Sequence, residues 1–167
     1  GGLGQLSKQR KVRFIQGTGK FLNARALEIF SGGKKSELGF EHCILASGSR
    51  PAVLPHIKLQ SERLWDSTAA LELKKVPKTL LVVGGGYIGL EMGSVYAALG
   101  SKVTVVEMLP GLLPGADRDL ANVLARAVTK RFAQVLLETK LTAMKEVSGG
   151  ISVSFEGKDL KEPAQVF

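Results

Sequence analysis

Three glycines and one acid carry the chemistry that this sequence offers. In LLVVGGGYIGLEMGSVYAALGSKVTVVE, residues 80–107, Gly84, Gly86 and Gly89 form the pattern G-x-G-x-x-G. A chain with 20 glycines meets that pattern easily by chance, so the surroundings decide what it means. A continuous apolar strand, TLLVVG, precedes the loop, and a helix opens from it. A second apolar strand, KVTVVE, then ends in Glu107, about twenty positions beyond the last glycine. Each part has a physical task. Gly84 permits the tight turn, and Gly86 lets the backbone approach a pyrophosphate where a side chain would collide. Gly89 lets the helix lie close on the strand, and the free N–H groups of the first helical turn face the anion. The loop is therefore read as a dinucleotide site.

Glu107 selects among dinucleotides. A carboxylate at the end of the second strand accepts from both ribose hydroxyls of the adenosine half, whereas a 2′-phosphate there meets like charge. The residues that follow, MLPGLLPG, contain no Arg or Lys to receive such a phosphate. The expected coenzyme is NAD rather than NADP. Glu91, on the first turn of the same helix, stands open to two readings from its residues alone. It is a site carboxylate, or a surface acid favoured by the helix dipole.

The elements that position these residues follow from periodicity. The first 50 residues are predicted to be strands: KVRFIQG, then KFLNARALEIF folded at Asn23-Ala24-Arg25, with a further turn at SGGKK. This is a three-stranded meander. In FEHCILASGSRP the run from Cys43 to Ala46 is apolar on both faces, which suits a buried strand of a parallel sheet, with Cys43 an inert member of it. A short helix is expected after the N-cap Asp66. Beyond Pro77 the order is strand, helix, strand, helix. Ile88, Met92, Val95 and Leu99 are expected on the inward face of the first helix, which stops at Gly100. The second helix begins at Asp117 with Leu120, Leu124 and Val128 inward. QVLLET, TAMKEV and ISVSFEG finish as strands around the Gly149-Gly150 turn. The fold class is α/β: a Rossmann-like βαβ dinucleotide-binding domain over residues 66–167, preceded by a β-meander lobe over residues 1–65.

Composition narrows the function classes. The net charge is +8, but residues 1–65 hold 11 Lys/Arg against 4 Asp/Glu while the remainder holds 12 against 11. The excess belongs to the first lobe, and SKQRKVR lacks the basic helix or spaced aromatics of a nucleic-acid binder. Neither nucleic acid nor a membrane is expected as a partner, because no apolar run approaches the roughly 18 residues of a spanning helix. A single cysteine excludes an internal disulfide framework and makes a reducing cytoplasm the expected compartment.

Together, GGGYIGLEMGSVYAALGSKVTVVE, ILASGSRP, WDSTAALELKKVPKTLLVVGGG and LPGADRDL resemble the dihydrolipoyl dehydrogenase family, flavoproteins of the pyridine nucleotide–disulfide oxidoreductase class. The resemblance runs in register along the whole chain. It implies that Gly84, Gly85, Gly86, Tyr87, Ile88, Gly89 and Glu107 meet NAD, with Tyr87 over the nicotinamide pocket. It also implies that Glu91 lies near flavin and nicotinamide and that the backbone around Leu141 meets the adenine. ASGSRP is similar to the family's ATGSRP, which touches FAD; this implies flavin contacts from Ser47, Gly48 and Ser49. GTGKF resembles a turn whose backbone meets FAD, at Gly19.

Such enzymes pass electrons from dihydrolipoamide to a Cys-x₄-Cys disulfide, then to FAD, then to NAD⁺, with a His–Glu pair as proton acceptor. These 167 residues hold one cysteine, and His42 and His56 stand in neither the setting nor the pairing of that base. The first glycine fingerprint of the FAD domain is not among them. The resemblance thus implies an internal portion of a longer enzyme, inactive alone, with no catalytic side chain and no metal ligands of its own. The parent would be a homodimer serving the lipoyl domains of 2-oxo acid dehydrogenase complexes. Another FAD-dependent NAD(P)H-disulfide reductase, an NADH oxidase, or a non-enzymatic NAD(H)-binding module would share the glycine loop.

Overall fold

The structure is a computed structural model that describes residues 2–55, 57–157, 160 and 164–167. The chain divides into two compact units, Gly1–Ser49 and Arg50–Phe167, so residues 50–65 cluster with the second unit.

In the first unit, helix α1 (Gly2–Gln9) leads into an antiparallel meander of β1 (Thr18–Asn23), β2 (Ala26–Ser31) and β3 (Lys34–Gly39), in the order β1-β2-β3. The expected turns fall at Ala24-Arg25 and Gly32-Gly33, where both glycines have positive φ. Two expectations fail here. KVRFIQG is not a strand, because the end of α1 captures its beginning. Lys11 takes the left-handed conformation (φ 54), and the Val12 N–H donates back to the Ser7 carbonyl at 2.8 Å, a helix-closing arrangement. Nor is Cys43–Ala46 a buried strand. Cys43 is exposed, and Ile44 and Leu45 are 93% and 74% exposed. A strand apolar on both faces needs neighbours on both sides, and among the described residues no strand pairs with it.

The second unit is built around a parallel sheet of β4 (Thr79–Val83), β5 (Lys102–Val106) and β6 (Gln134–Leu136), ordered β4-β5-β6. The crossovers are α3 (Tyr87–Ala98) and α4 (Arg118–Thr129). Period-two alternation divides the two sheet faces. Val103 and Val105, with Leu80 and Val82, pack with Leu90, Tyr96, Val128 and Phe132. Val106 and Leu81 turn the other way, towards Leu141, Ile151, Val153 and Phe155. Those last four belong to an antiparallel sheet of β7 (Thr139–Val147), β8 (Gly150–Gly157) and β9 (Ala164–Val166). Before the parallel sheet, α2 (Ser67–Leu71) is capped as expected, with Asp66 Oδ1 accepting from the Ala69 N–H at 2.9 Å.

α3 presents a different face from the one expected, and α4 buries only Val128 of its expected inward set. On α3 the buried residues are Leu90, Gly93 and Tyr96, while Ile88, Val95 and Leu99 are exposed and Met92 is half-buried. The reason is close approach. A Cβ at Gly93 would stand 3.2 Å from Phe132 Cζ and 3.4 Å from Val103 Cγ1, so the helix lies on the sheet along its side-chain-free edge. On α4, Ala121 and Val128 are buried, whereas Leu120 is 67% exposed and Leu124 37%. Asp117 occupies the N-cap, but its side chain makes no capping bond. Gly100, with φ 104, follows the end of α3 as expected.

Tyr96 is 1% exposed, and its hydroxyl donates to the Ala70 carbonyl at 2.8 Å, tying α2 to α3. Tyr96→Phe should cost about 1 kcal/mol of unfolding free energy, the usual net worth of one such bond. Urea denaturation checks this, and an unchanged midpoint would show that the bond contributes nothing.

Candidate functional site

The site is the junction of β4, α3 and the end of β5. Gly84 continues the parallel ladder, its N–H donating to the Val106 carbonyl at 2.8 Å, and then turns the chain with φ 107. Only glycine holds that backbone without strain. Gly86 is the N-cap of α3 in an extended conformation and brings no side-chain acceptor to the first-turn N–H groups. A Cβ there would have nothing within 4 Å, so the approach to these amides is open. Gly89 differs: a Cβ would collide with the Gly84 carbonyl oxygen and lie 3.0 Å from Val82 Cγ1. One glycine thus stands beside open space, and the other serves contact within the chain.

Glu107 is 7% exposed and clamped at both ends. Its backbone is fixed by Glu107 N–H to Leu136 O at 2.8 Å and Thr139 N–H to Glu107 O at 2.9 Å. Its carboxylate accepts from the Gly85 N–H at 2.7 Å through Oε2 and from the Leu109 N–H at 2.9 Å through Oε1. A carboxylate offers about four lone-pair sites, and these two bonds occupy one on each oxygen. The acid and the glycine loop, 22 residues apart in sequence, are in direct contact.

Gly85 is the middle of this arrangement. Besides donating to Glu107, it accepts at its carbonyl from the Leu113 N–H at 2.8 Å. A Cβ on it would come within 2.5 Å of Leu112 Cδ2 and 3.2 Å of Glu107 Cβ. Leu112 and Leu113 have no counterpart among the residues singled out from the sequence. Their signal was faint: the repeated glycine and proline of LPGLLPG mark a loop, not what it packs on.

Tyr87 and Glu91 border one open groove of about 380 Å³ along α3, mainly apolar, shared with Leu90, Ser94, Val95, Leu113 and Leu124. Tyr87 is 68% exposed and Ile88 46%. Leu141 lies elsewhere, in β7, paired with Phe155 and buried in the second core. Gly19 stands within β1 opposite Ile29, in a strand rather than the expected turn. Ser47, Gly48 and Ser49 follow in an exposed, irregular segment, with Gly48 at φ 77. These four belong to the first unit and the glycine loop to the second. His42 is exposed, and His56 lies outside the described residues. Among the described residues, no helix is long and apolar enough to cross a membrane.

A glycine loop at the head of a βαβ unit, with an acid bonded to it from the next strand, defines a nucleotide-binding module of the Rossmann kind. The chain belongs to the Pyridine nucleotide-disulphide oxidoreductase family, whose profile matches residues 2–166. Its curated relatives include dihydrolipoyl dehydrogenases. The Vibrio parahaemolyticus enzyme is 47% identical over 165 residues, 99% of this chain and 34% of the relative. The Haemophilus influenzae enzyme is 47% identical over 159 residues, 95% of this chain and 33% of the relative. The chain therefore spans about a third of their length. Among solved structures, the HOCl-induced flavoprotein disulfide reductase RclA from Escherichia coli, as its Cu(II) complex, superposes with a TM-score of 0.67 at 27% identity. That match covers 90% of this chain and 33% of the other.

Proposed function

We propose that residues 66–167 are the NAD(H)-binding domain of a dihydrolipoyl dehydrogenase, and that residues 1–65 are the trailing part of its FAD-binding domain. The observation that carries the coenzyme assignment is the Glu107 carboxylate, held at the glycine loop by the Gly85 and Leu109 N–H groups. In this reading the first-turn amides of α3 receive the pyrophosphate across the open side of Gly86. Glu107 accepts from the adenosine ribose hydroxyls. Tyr87, Ile88 and Glu91 lie towards the nicotinamide, and the backbone near Leu141 meets the adenine. NAD⁺ would supply the terminal hydride acceptor for electrons arriving through a disulfide and FAD.

The flavin contacts of Gly19, Ser47, Gly48 and Ser49 belong to the same proposal. So do lipoyl-domain partners, which the relatives' name dihydrolipoyl dehydrogenase supports, a homodimeric parent, and a cytoplasmic setting, which rests on the single cysteine. The redox disulfide and the His–Glu base are assigned to sequence outside these residues, because the chain has one cysteine and neither His42 nor His56 stands in the setting of that base.

Titration calorimetry with NADH and NADPH tests the coenzyme assignment. NADH should bind at least about tenfold tighter, a difference of 1.4 kcal/mol. Equal affinities would overturn it. The same preparation is expected to show no dihydrolipoamide-dependent NAD⁺ reduction even with added FAD. Turnover would overturn the division of labour.

A further inference from the structure

Arg118, the first residue of α4, folds back over the loop that follows Glu107. Its Nη2 donates to the carbonyls of Leu112 at 2.9 Å, Leu113 at 2.7 Å and Ala116 at 3.1 Å, and its Nε donates to Ala116 at 3.2 Å. Nη1 lies where a Cβ on Gly111 would come within 2.5 Å of it. Among the described residues its acceptors are all backbone carbonyls, so this cation serves the shape of a loop rather than an acid.

The loop it shapes is strained and joined to the site. Leu113 has φ 52, a left-handed conformation that costs a leucine energy and persists only where surrounding bonds enforce it. The Leu113 N–H donates to the Gly85 carbonyl, and the Leu112 side chain packs against the face of Gly85 that lacks a Cβ. Gly85 in turn donates to Glu107. A continuous set of contacts thus runs from the guanidinium to the middle of the glycine loop.

We propose that Arg118 is a positioning residue for the coenzyme site, enforcing the left-handed turn at Leu113 that braces Gly85 against Glu107. Its consequence for binding rests on the reading of the loop as a dinucleotide site.

Two measurements on the chain and its variants test it. The first needs no ligand. In Arg118→Ala the Leu113 amide should exchange its hydrogen about tenfold faster or more, as the turn opens locally; an unchanged rate overturns the proposal. The second is NADH affinity, expected to fall about tenfold in Arg118→Ala, the scale of one lost bond. Adding Leu113→Gly should restore most of that loss, because glycine takes a positive φ freely. The melting temperature should nevertheless drop further, because the leucine side chain is lost. If Arg118 only stabilised the fold, the double variant would be worse in both respects, and that result overturns the proposal. Wild type that fails to bind NADH would instead refute the dinucleotide reading, while the exchange rate still decides the clamp.

Discussion

Glu107→Ala is expected to weaken NADH binding by about ten- to a hundredfold and to reverse part of the preference over NADPH. Two losses combine. The charge-assisted bonds proposed to the ribose would be worth about 1.5–3 kcal/mol. In addition, the Gly85 N–H, paired with Oε2 at 2.7 Å in a buried setting, loses its acceptor. An orphaned buried donor costs about 1–3 kcal/mol, so the variant should also unfold more readily, and the loop it presents to the coenzyme is less ordered. Removing the carboxylate relieves like-charge repulsion with a 2′-phosphate, but it supplies no cation. Met108 is the place for one, being 68% exposed and adjacent to the acid. The double variant Glu107→Ala with Met108→Arg should therefore favour NADPH outright, because a guanidinium can pair bidentately with phosphate. Dissociation constants for both coenzymes across the three proteins decide this. An unchanged NADH-to-NADPH ratio in Glu107→Ala would mean that the acid serves the loop alone and does not face the ribose.

Adding a single methyl at Gly86 or at Gly89 should separate binding from folding. Gly86 has φ −76 and ψ 175, ordinary values for any residue, and nothing lies within 4 Å of the Cβ position. Gly86→Ala should change stability by about 1 kcal/mol or less, the range for exchanging residues at a cap. It should nonetheless lower NADH affinity about tenfold or more, since the methyl occupies the space through which a pyrophosphate would reach the amides. Gly89→Ala should do the reverse in order of cause. Its methyl meets the Gly84 carbonyl oxygen and Val82 Cγ1. Overpacking against backbone costs about 1–3 kcal/mol or more, and affinity falls because the loop is displaced. Thermal unfolding beside coenzyme titration reads both. A Gly86→Ala protein that binds like wild type would show that no ligand approaches along that side.

Much of the geometry of the candidate site was legible in the sequence because its signals are local. A continuous apolar strand, a glycine with positive φ at the turn, a helix opening there and an acid ending the next strand all lie within residues 79–107. Each obeys rules of period and backbone conformation that neighbours along the chain enforce. The meander turns at Ala24-Arg25 and Gly32-Gly33, the cap at Asp66 and the stop at Gly100 were legible for the same reason. Cys43–Ala46 was misjudged because hydrophobicity states what a segment would bury, not whether a partner strand is available. The inward faces of α3 and α4, Val128 apart, differ from the expected ones because both helices carry two apolar stripes at helical spacing. The choice falls to the smaller residues, Gly93 and Ala121, and depends on how closely each helix can approach the sheet.

The sequence by itself determined that residues 79–107 form a strand–glycine loop–helix–strand unit ending in an acid, since strand period, glycine freedom and helix initiation act between near neighbours. Only the tertiary structure decided that the Glu107 carboxylate turns inward to hold Gly85 and that Leu113 adopts a left-handed turn to brace the same residue. It alone brought Arg118 back onto the carbonyls of that loop. These contacts join residues far apart in sequence, and their geometry is set by how closely two helices and a loop settle on one sheet.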